Sequence, residues 1–243
     1  MVKVLLAILL SVSVVTGTLE RPTTWKQEKD ILECMMIDRM QSIENMHGIQ
    51  FDDDWKPSVC FGYANNLTAE ERDDWLAEYS SRTQSFKFSP KSEYKKDLAL
   101  MDHELGHALM DQVSRRNGYG PWPNFECTQT MNDKEYTSVE ILSEGAGSYF
   151  EFKGQEIYTR ANEDAINYLP TSPNDRRWKD KGYKYKGGWW VVAPIIKEYG
   201  ERGLVYLITH PVEFDYGNLR AGAKTYRAKA LKELADTAAQ RPK

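Results

Sequence analysis

The stretch Asp97-Leu-Ala-Leu-Met-Asp-His-Glu-Leu-Gly-His-Ala-Leu-Met110 decides how this chain is read. His103 and His107 stand four residues apart, so on a helix they lie one above the other on a single face. Two imidazoles placed in this way can hold one Zn²⁺ together. Glu104 follows the first histidine directly and projects to the side of that metal, where its carboxylate can accept a proton from a metal-bound water. Leu105 can face the core. Gly106 costs roughly 1 kcal/mol against alanine inside a helix, so its presence points to a closely packed neighbour. The bland reading is two ordinary polar histidines that meet this spacing by chance. Two of the chain's four histidines fall at the spacing, inside an apolar helical run rather than a polar surface stretch, and this favours the metal.

At 243 residues the chain holds one sizeable domain, or one domain with two lobes. Its 41% hydrophobic and 28% charged residues fit a soluble globular protein, and a net charge of −4 gives no reason to expect nucleic acid or an anionic membrane as partner. The run Asp175-Arg-Arg-Trp-Lys-Asp-Lys181 is basic but interrupted by acids, and reads as a solvated loop. At the N-terminus, Lys3 precedes the apolar run Val4–Val15 and the small residues Thr16-Gly17-Thr18. That pattern is expected of a secretory signal peptide, residues 1–17, cut after Gly17. An uncleaved anchor is the rival, but the run falls short of the roughly 20 residues that span a bilayer. The expected location is therefore extracellular or periplasmic, with no stable membrane association after cleavage. Cys34, Cys60 and Cys127 allow one disulfide and leave one thiol over, and they are too scattered for a thiolate metal site. Asn66-Leu67-Thr68 is a glycosylation sequon, and Thr68 with Glu71 also forms a capping box.

Periodicity and punctuation predict a mostly helical α+β chain with a small sheet. Thr24 to Met46 reads as an amphipathic helix with a stripe of Leu32, Met35, Met36, Met40, Ile43 and Met46, ended by Gly48. A second helix is expected from Thr68 to Ser80, and Ser85–Phe88 alternates as a short strand. The motif helix should open at Pro90 or Ser92 and run to about Asn117-Gly118. A loop from Tyr119 to Phe125 follows, then a long helix from about Thr137, a loop over Asn167–Lys181, and helices near Gly188–Tyr199, Glu201–Thr209 and Asn218–Asp236. The expected organisation is a single domain over 18–243. Residues 18–84 form its N-terminal helical part, 85–160 carry the zinc site, and 161–243 form a C-terminal helical lobe.

A catalytic zinc takes three protein ligands and keeps an open position. A third histidine six residues beyond His107 is missing, because Met110 and Val113 stand where that pattern needs Gly and His. The third ligand must therefore come from elsewhere in the chain. The segment Ile141-Leu-Ser-Glu-Gly145, followed by Tyr149-Phe-Glu151, resembles the W-L-x-E-G…Y-F segment of gluzincins, the clan of thermolysin-like and aminopeptidase-N-like zinc peptidases. Tyr185-Lys-Gly-Gly188, followed by Trp189 to Gly200, is similar to the Y-x-x-G…Y-G helix of the aminopeptidase-N-like members. The resemblance covers roughly residues 85–210. It implies a zincin-like domain in which Glu144 is the third ligand, Glu104 the general base, and the Tyr185 hydroxyl the donor to the oxyanion.

The chain departs from the family in several ways. The gap from His107 to Glu144 is long, which makes the Tyr119–Phe125 loop look like an insertion. Many gluzincins carry an acid one turn after the glutamate ligand, and here that position is Ser148. No G-A-M-E-N-like motif is present, so exopeptidase activity does not follow. Asp111 and Glu140 remain alternatives for the third ligand. Tyr183 and His210 remain alternatives for the oxyanion donor. His47 reads as a favourable contact with a helix dipole. The implied function is a secreted zinc metallopeptidase acting on a peptide or protein substrate. Its rivals are a secreted binding or adhesion domain that keeps zinc as a staple, and a zinc hydrolase of another amide.

Overall fold

Asp97 opens the central helix. Its carboxylate accepts from the backbone N–H groups of Ala99 (3.0 Å) and Leu100 (3.2 Å), which the first turn would otherwise leave unpaired. In the computed structural model, residues 25–63, 76–90, 97–123, 133–152, 164–210 and 217–240 are described, with Thr68, Arg72 and Phe214. The elements are α1 (Trp25–His47), β1 (Val59–Phe61), β2 (Ala77–Ser80), β3 (Ser85–Phe88), α2 (Leu98–Arg116), α3 (Asp133–Phe152), α4 (Gly188–Tyr199), α5 (Glu201–Thr209) and α6 (Leu219–Ala239). Short 3-10 turns at Asp164–Tyr168 and Arg176–Lys179 and a π-helical turn at Tyr183–Gly187 lead into α4. The architecture is α+β and mostly helical, with one three-stranded sheet.

The sheet runs β1-β3-β2. β1 lies parallel to β3, and β2 pairs antiparallel with β3 through a tight turn. Alternation puts Val59, Phe86 and Phe88 in the core. The opposite face is polar, and there Glu78 and Lys87 form a cross-strand pair at 3.2 Å. The same alternation turns Phe61 onto Trp25 of α1 and leaves Cys60 on the outer face in register with Lys87. Cys34 and Cys60 are both exposed free thiols, and Cys127 lies outside the described residues.

Several expectations need correction. The helix expected over Thr68–Ser80 fails at its end, where Ala77–Ser80 is strand β2. A helix-like bond from Arg72 N–H to Thr68 C=O exists at the start (3.1 Å). The strand forms because β3 offers a partner edge and Tyr79 packs on Phe86, which outweighs local propensity. The motif helix begins at Leu98 behind the Asp97 cap, not at Pro90 or Ser92. α3 begins four residues earlier than expected, at Asp133. On α1, Leu32, Met36, Met40 and Ile43 are buried as expected, but Met46 is 38% exposed. The signal peptide, Asn66 and Glu71 lie outside the described residues. Among the described residues no helix is long and apolar enough to cross a membrane.

Two polar contacts show how the helices are held. Pro194 sits inside α4 and has no N–H for the Trp190 carbonyl four residues back. Arg227 of α6 donates to that carbonyl instead (3.2 Å), with its guanidinium over the Trp190 indole at 4.1 Å. On the other side, Arg39 of α1 grips Asp102 of α2 with two hydrogen bonds, one of them at 2.7 Å from Nε. Asp102 is 5% exposed, so losing its partner would strand a buried carboxylate. Arg39→Met should therefore lower the unfolding free energy by about 3 kcal/mol. Arg39→Met combined with Asp102→Leu should recover most of that loss, because no uncompensated charge remains. Urea unfolding of the three proteins checks this, and an equal loss in single and double variants would contradict it.

Candidate metal centre

The site begins with backbone contact. α2 and α3 approach so closely that a Cβ on Gly106 would stand 2.7 Å from the Phe150 ring and 3.1 Å from the Gly147 Cα. A Cβ on Gly147 would stand 2.8 Å from Cε1 and Nε2 of His103. The His103 ring therefore lies directly on the backbone of α3, which carries Glu144. The close neighbour expected of Gly106 is α3.

Three donor atoms converge there. His103 Nε2 lies 3.2 Å from His107 Nε2 and 3.2 Å from Glu144 Oε2, and the third separation, His107 Nε2 to Glu144 Oε2, is 3.8 Å. His103 Nδ1 faces Glu151 Oε2 at 3.2 Å, and a carboxylate only accepts, so that nitrogen carries a proton. His107 Nδ1 faces Ser143 Oγ at 3.1 Å, which can take its N–H. Each neutral imidazole then turns an Nε2 lone pair to the same point as a Glu144 oxygen. Lone pairs facing one another at 3.2 Å call for a cation between them. Donors about 2.0–2.1 Å from a tetrahedral zinc stand about 3.3–3.4 Å apart, so the two 3.2 Å separations fit one, and the 3.8 Å separation is wider than a regular tetrahedral edge. His103, His107 and Glu144 form a group able to hold a metal ion.

Charge supports the same picture. Burial opposes protonation of His103, but hydrogen bonds to Glu144 and Glu151 and the charges of Glu144 and Glu104 outweigh it, and its pKa is pushed up to about 10. In the metal-free chain a proton thus takes the cation's place. Burial also pushes Glu144 up. Hydrogen bonds from His103 and His107, with their charge, more than reverse this and hold its carboxyl well below the usual range. Glu104, 5% exposed, behaves oppositely: burial raises it against the pull of His107 and His103. It is the better base of the two carboxylates.

Tyr185 comes from the π-helical turn. Its ring centroid lies 5.7 Å from that of His103, and the residue is 37% exposed. Its hydroxyl makes no hydrogen bond among the described residues. Burial and then the surrounding carboxylates of Glu144, Glu104, Glu140 and Glu151 raise its pKa, so the phenol keeps its proton as a donor.

The rival residues sit elsewhere. Asp111 is fully buried and accepts from Tyr79 Oη (2.8 Å), Trp122 N (2.7 Å) and Arg115 Nε (3.0 Å). It pins β2 and the segment Pro121-Trp-Pro123 against α2. Glu140 pairs with Lys184. Tyr183 is buried against Trp178. His210 stacks on Tyr206 at 4.1 Å beyond α5, and its Nδ1 contacts Thr209 Oγ1. His47 packs on Tyr149 and Phe150 of α3, with centroids 4.9 and 4.8 Å away, rather than acting only on its own helix end. Ser148 is buried, and its hydroxyl has no partner among the described residues.

The sequence reading missed Glu151, Ser143 and Gly147. Glu151 lies seven residues beyond Glu144, two turns along the same face, so a search two turns out would have found it. The chain matches no family model, no curated protein and no solved structure.

Two outcomes follow from this geometry. Gly147→Ala should displace the His103 ring and weaken zinc binding at least about tenfold with little change in helix content, read by calorimetry and circular dichroism. Zinc must also displace the proton of His103, so binding near pH 7 should release about one proton. Apparent affinity should rise with pH and level off as pH passes about 10. Titration calorimetry in buffers of different ionisation enthalpy measures that release, and a value near zero would contradict the assignment.

Proposed function

We propose that this chain is a secreted zinc metallopeptidase of gluzincin type with a zincin-like domain. The observation that carries the reading is the convergence of His103 Nε2, His107 Nε2 and Glu144 Oε2, with both Nδ1 atoms occupied behind them. A buried, raised carboxyl beside that point and an unengaged phenol above it supply the other two functions of a peptidase. Donors of type His, His and Glu suit zinc among the divalent metals.

In this reading His103, His107 and Glu144 hold the ion. A bound zinc acts as a Lewis acid toward the carbonyl and acidifies the attacking water. Glu104 takes the proton from that water and later delivers it to the leaving amine. Tyr185 donates its hydroxyl hydrogen to the carbonyl oxygen as that oxygen gains charge. Glu151 and Ser143 hold the two imidazoles in the required tautomer and orientation. They replace the acid that many gluzincins carry at the position of Ser148.

The intact Glu104 favours an enzyme over a domain that keeps zinc as a staple, because a structural zinc has four closed ligands and needs no base. The test compares zinc-replete wild type, Glu104→Gln and Tyr185→Phe on a broad peptide library, with and without chelator. Zinc content should stay near one per chain in all three. Turnover should fall at least about 10²-fold in Glu104→Gln. It should fall about 10²–10³-fold in Tyr185→Phe, mostly in kcat. Equal cleavage by wild type and Glu104→Gln would falsify the mechanism. Zinc binding without cleavage of any peptide would favour the binding-domain reading.

A further inference from the structure

Tyr185 lies beside the metal centre on an uncommon kind of turn. The turn Tyr183–Gly187 is π-helical, and the Gly188 N–H bonds back to the Tyr183 carbonyl five residues earlier. Such a turn holds one residue more than an α-turn and persists where neighbouring structure supports it. At its far end the support is backbone contact. A Cβ on Gly188 would stand 2.3 Å from the Ile141 carbonyl oxygen, and one on Gly145 would stand 2.4 Å from the Gly188 carbonyl carbon. This fixes the start of α4 against α3 beside Glu144.

Within the turn, three side chains are anchored. Tyr183 packs on Trp178 at 5.2 Å, and Lys186 Nζ donates to Tyr168 Oη at 3.0 Å while lying over that ring. Both of these contacts lead to the segment 164–179. Lys184 reaches α3 through its ion pair with Glu140. Glu140 lies one turn before Glu144 on that helix. The side chains of the pair are only 20% and 19% exposed, so the pair is held away from bulk solvent.

We infer that the Lys184–Glu140 ion pair is a positioning pair, which fixes the turn against the ligand-bearing helix and so aims the Tyr185 hydroxyl at the metal centre. Neither residue touches substrate or metal in this assignment. The inference rests on the peptidase reading for its catalytic consequence, but its geometric consequence can be measured without turnover.

The geometric test uses full-length protein labelled with 3-fluorotyrosine and loaded with Co²⁺ in place of zinc. The ¹⁹F resonance lost in Tyr185→Phe identifies the Tyr185 ring. In wild type that resonance should carry a large cobalt-induced shift, and Lys184→Met should change it while cobalt binding stays the same and the protein still unfolds cooperatively, at a somewhat lower midpoint because Glu140 loses its partner. The catalytic test is a double-mutant cycle with Tyr185→Phe. Lys184→Met alone should lower kcat about 10- to 100-fold with little effect on KM. In the Tyr185→Phe background it should cost less than about twofold, because the group it aims is gone. The charge-swapped variant Glu140→Lys with Lys184→Glu should recover much of the lost kcat. An unchanged cobalt shift in Lys184→Met, or losses that multiply in the cycle, would overturn the positioning role. A cobalt-loaded wild type whose Tyr185 resonance shows no shift would overturn it as well. If the shift behaves as expected but no peptide is cleaved, the pair positions Tyr185 as inferred, and the peptidase reading is what fails.

Discussion

The close approach of three helices at glycine is the constraint on which the site depends. Gly147 faces α2 and leaves room for the His103 ring, while two residues earlier Gly145 faces α4 and meets Gly188 at backbone contact. Residues two apart on a helix point to nearly opposite sides, so α3 is clasped between its neighbours with Glu144 beside both contacts. Helical glycine costs roughly 1 kcal/mol each relative to alanine. The return is that three potential metal donors from two helices and a tyrosine from the approach to a third come within a few ångströms.

Electrostatics then separates the acids by role. α2 buries three carboxylates, Asp102, Glu104 and Asp111. Asp102 is gripped by Arg39, and Asp111 by Arg115, Tyr79 and the Trp122 backbone. These two act as anchors that join α2 to α1, to the sheet and to the Pro121-Trp-Pro123 segment. Glu104 has no arginine among its charge partners, which are the two histidines and Glu144. A buried carboxylate without a permanent cation is costly unless a charge is supplied. The three-donor centre beside Glu104 is where a divalent ion would supply it. The three buried acids of one helix therefore differ in what faces them rather than in how deeply they are buried.

Much of this was legible in the residues. The four-residue histidine spacing, the adjacent glutamate and the glycine within the motif are local features, and the helix period alone puts them on one face. The same period with Gly and Pro punctuation located α1, α4, α5 and α6 to within a few residues. One failure came where a distant partner decided the outcome, and another from a local cap that was overlooked. Ala77–Ser80 became a strand because β3 lay alongside it, and the motif helix started late because Asp97 caps it. Glu151 was overlooked because its importance comes from the crossing of α2 and α3, not from any spacing to His103 in the chain.

The sequence by itself determined the pair of histidines, the candidate base and the helical character of the chain, because these follow from residue type and a 3.6-residue period. Only the tertiary structure put Glu144, rather than Glu140 or Asp111, beside the two histidines, and the ring of Tyr185, rather than of Tyr183 or His210, 5.7 Å from that of His103. All three acids lie on helices within a turn or so of a plausible position, and all three aromatic or imidazole groups follow α3 in the chain. What separates them is which face the packing turns inward. Glu140 meets Lys184 and Asp111 meets Arg115, while Glu144 meets both Nε2 atoms. That choice depends on how closely backbones approach at Gly106, Gly147, Gly145 and Gly188, a property of pairs of helices that no single stretch of chain encodes.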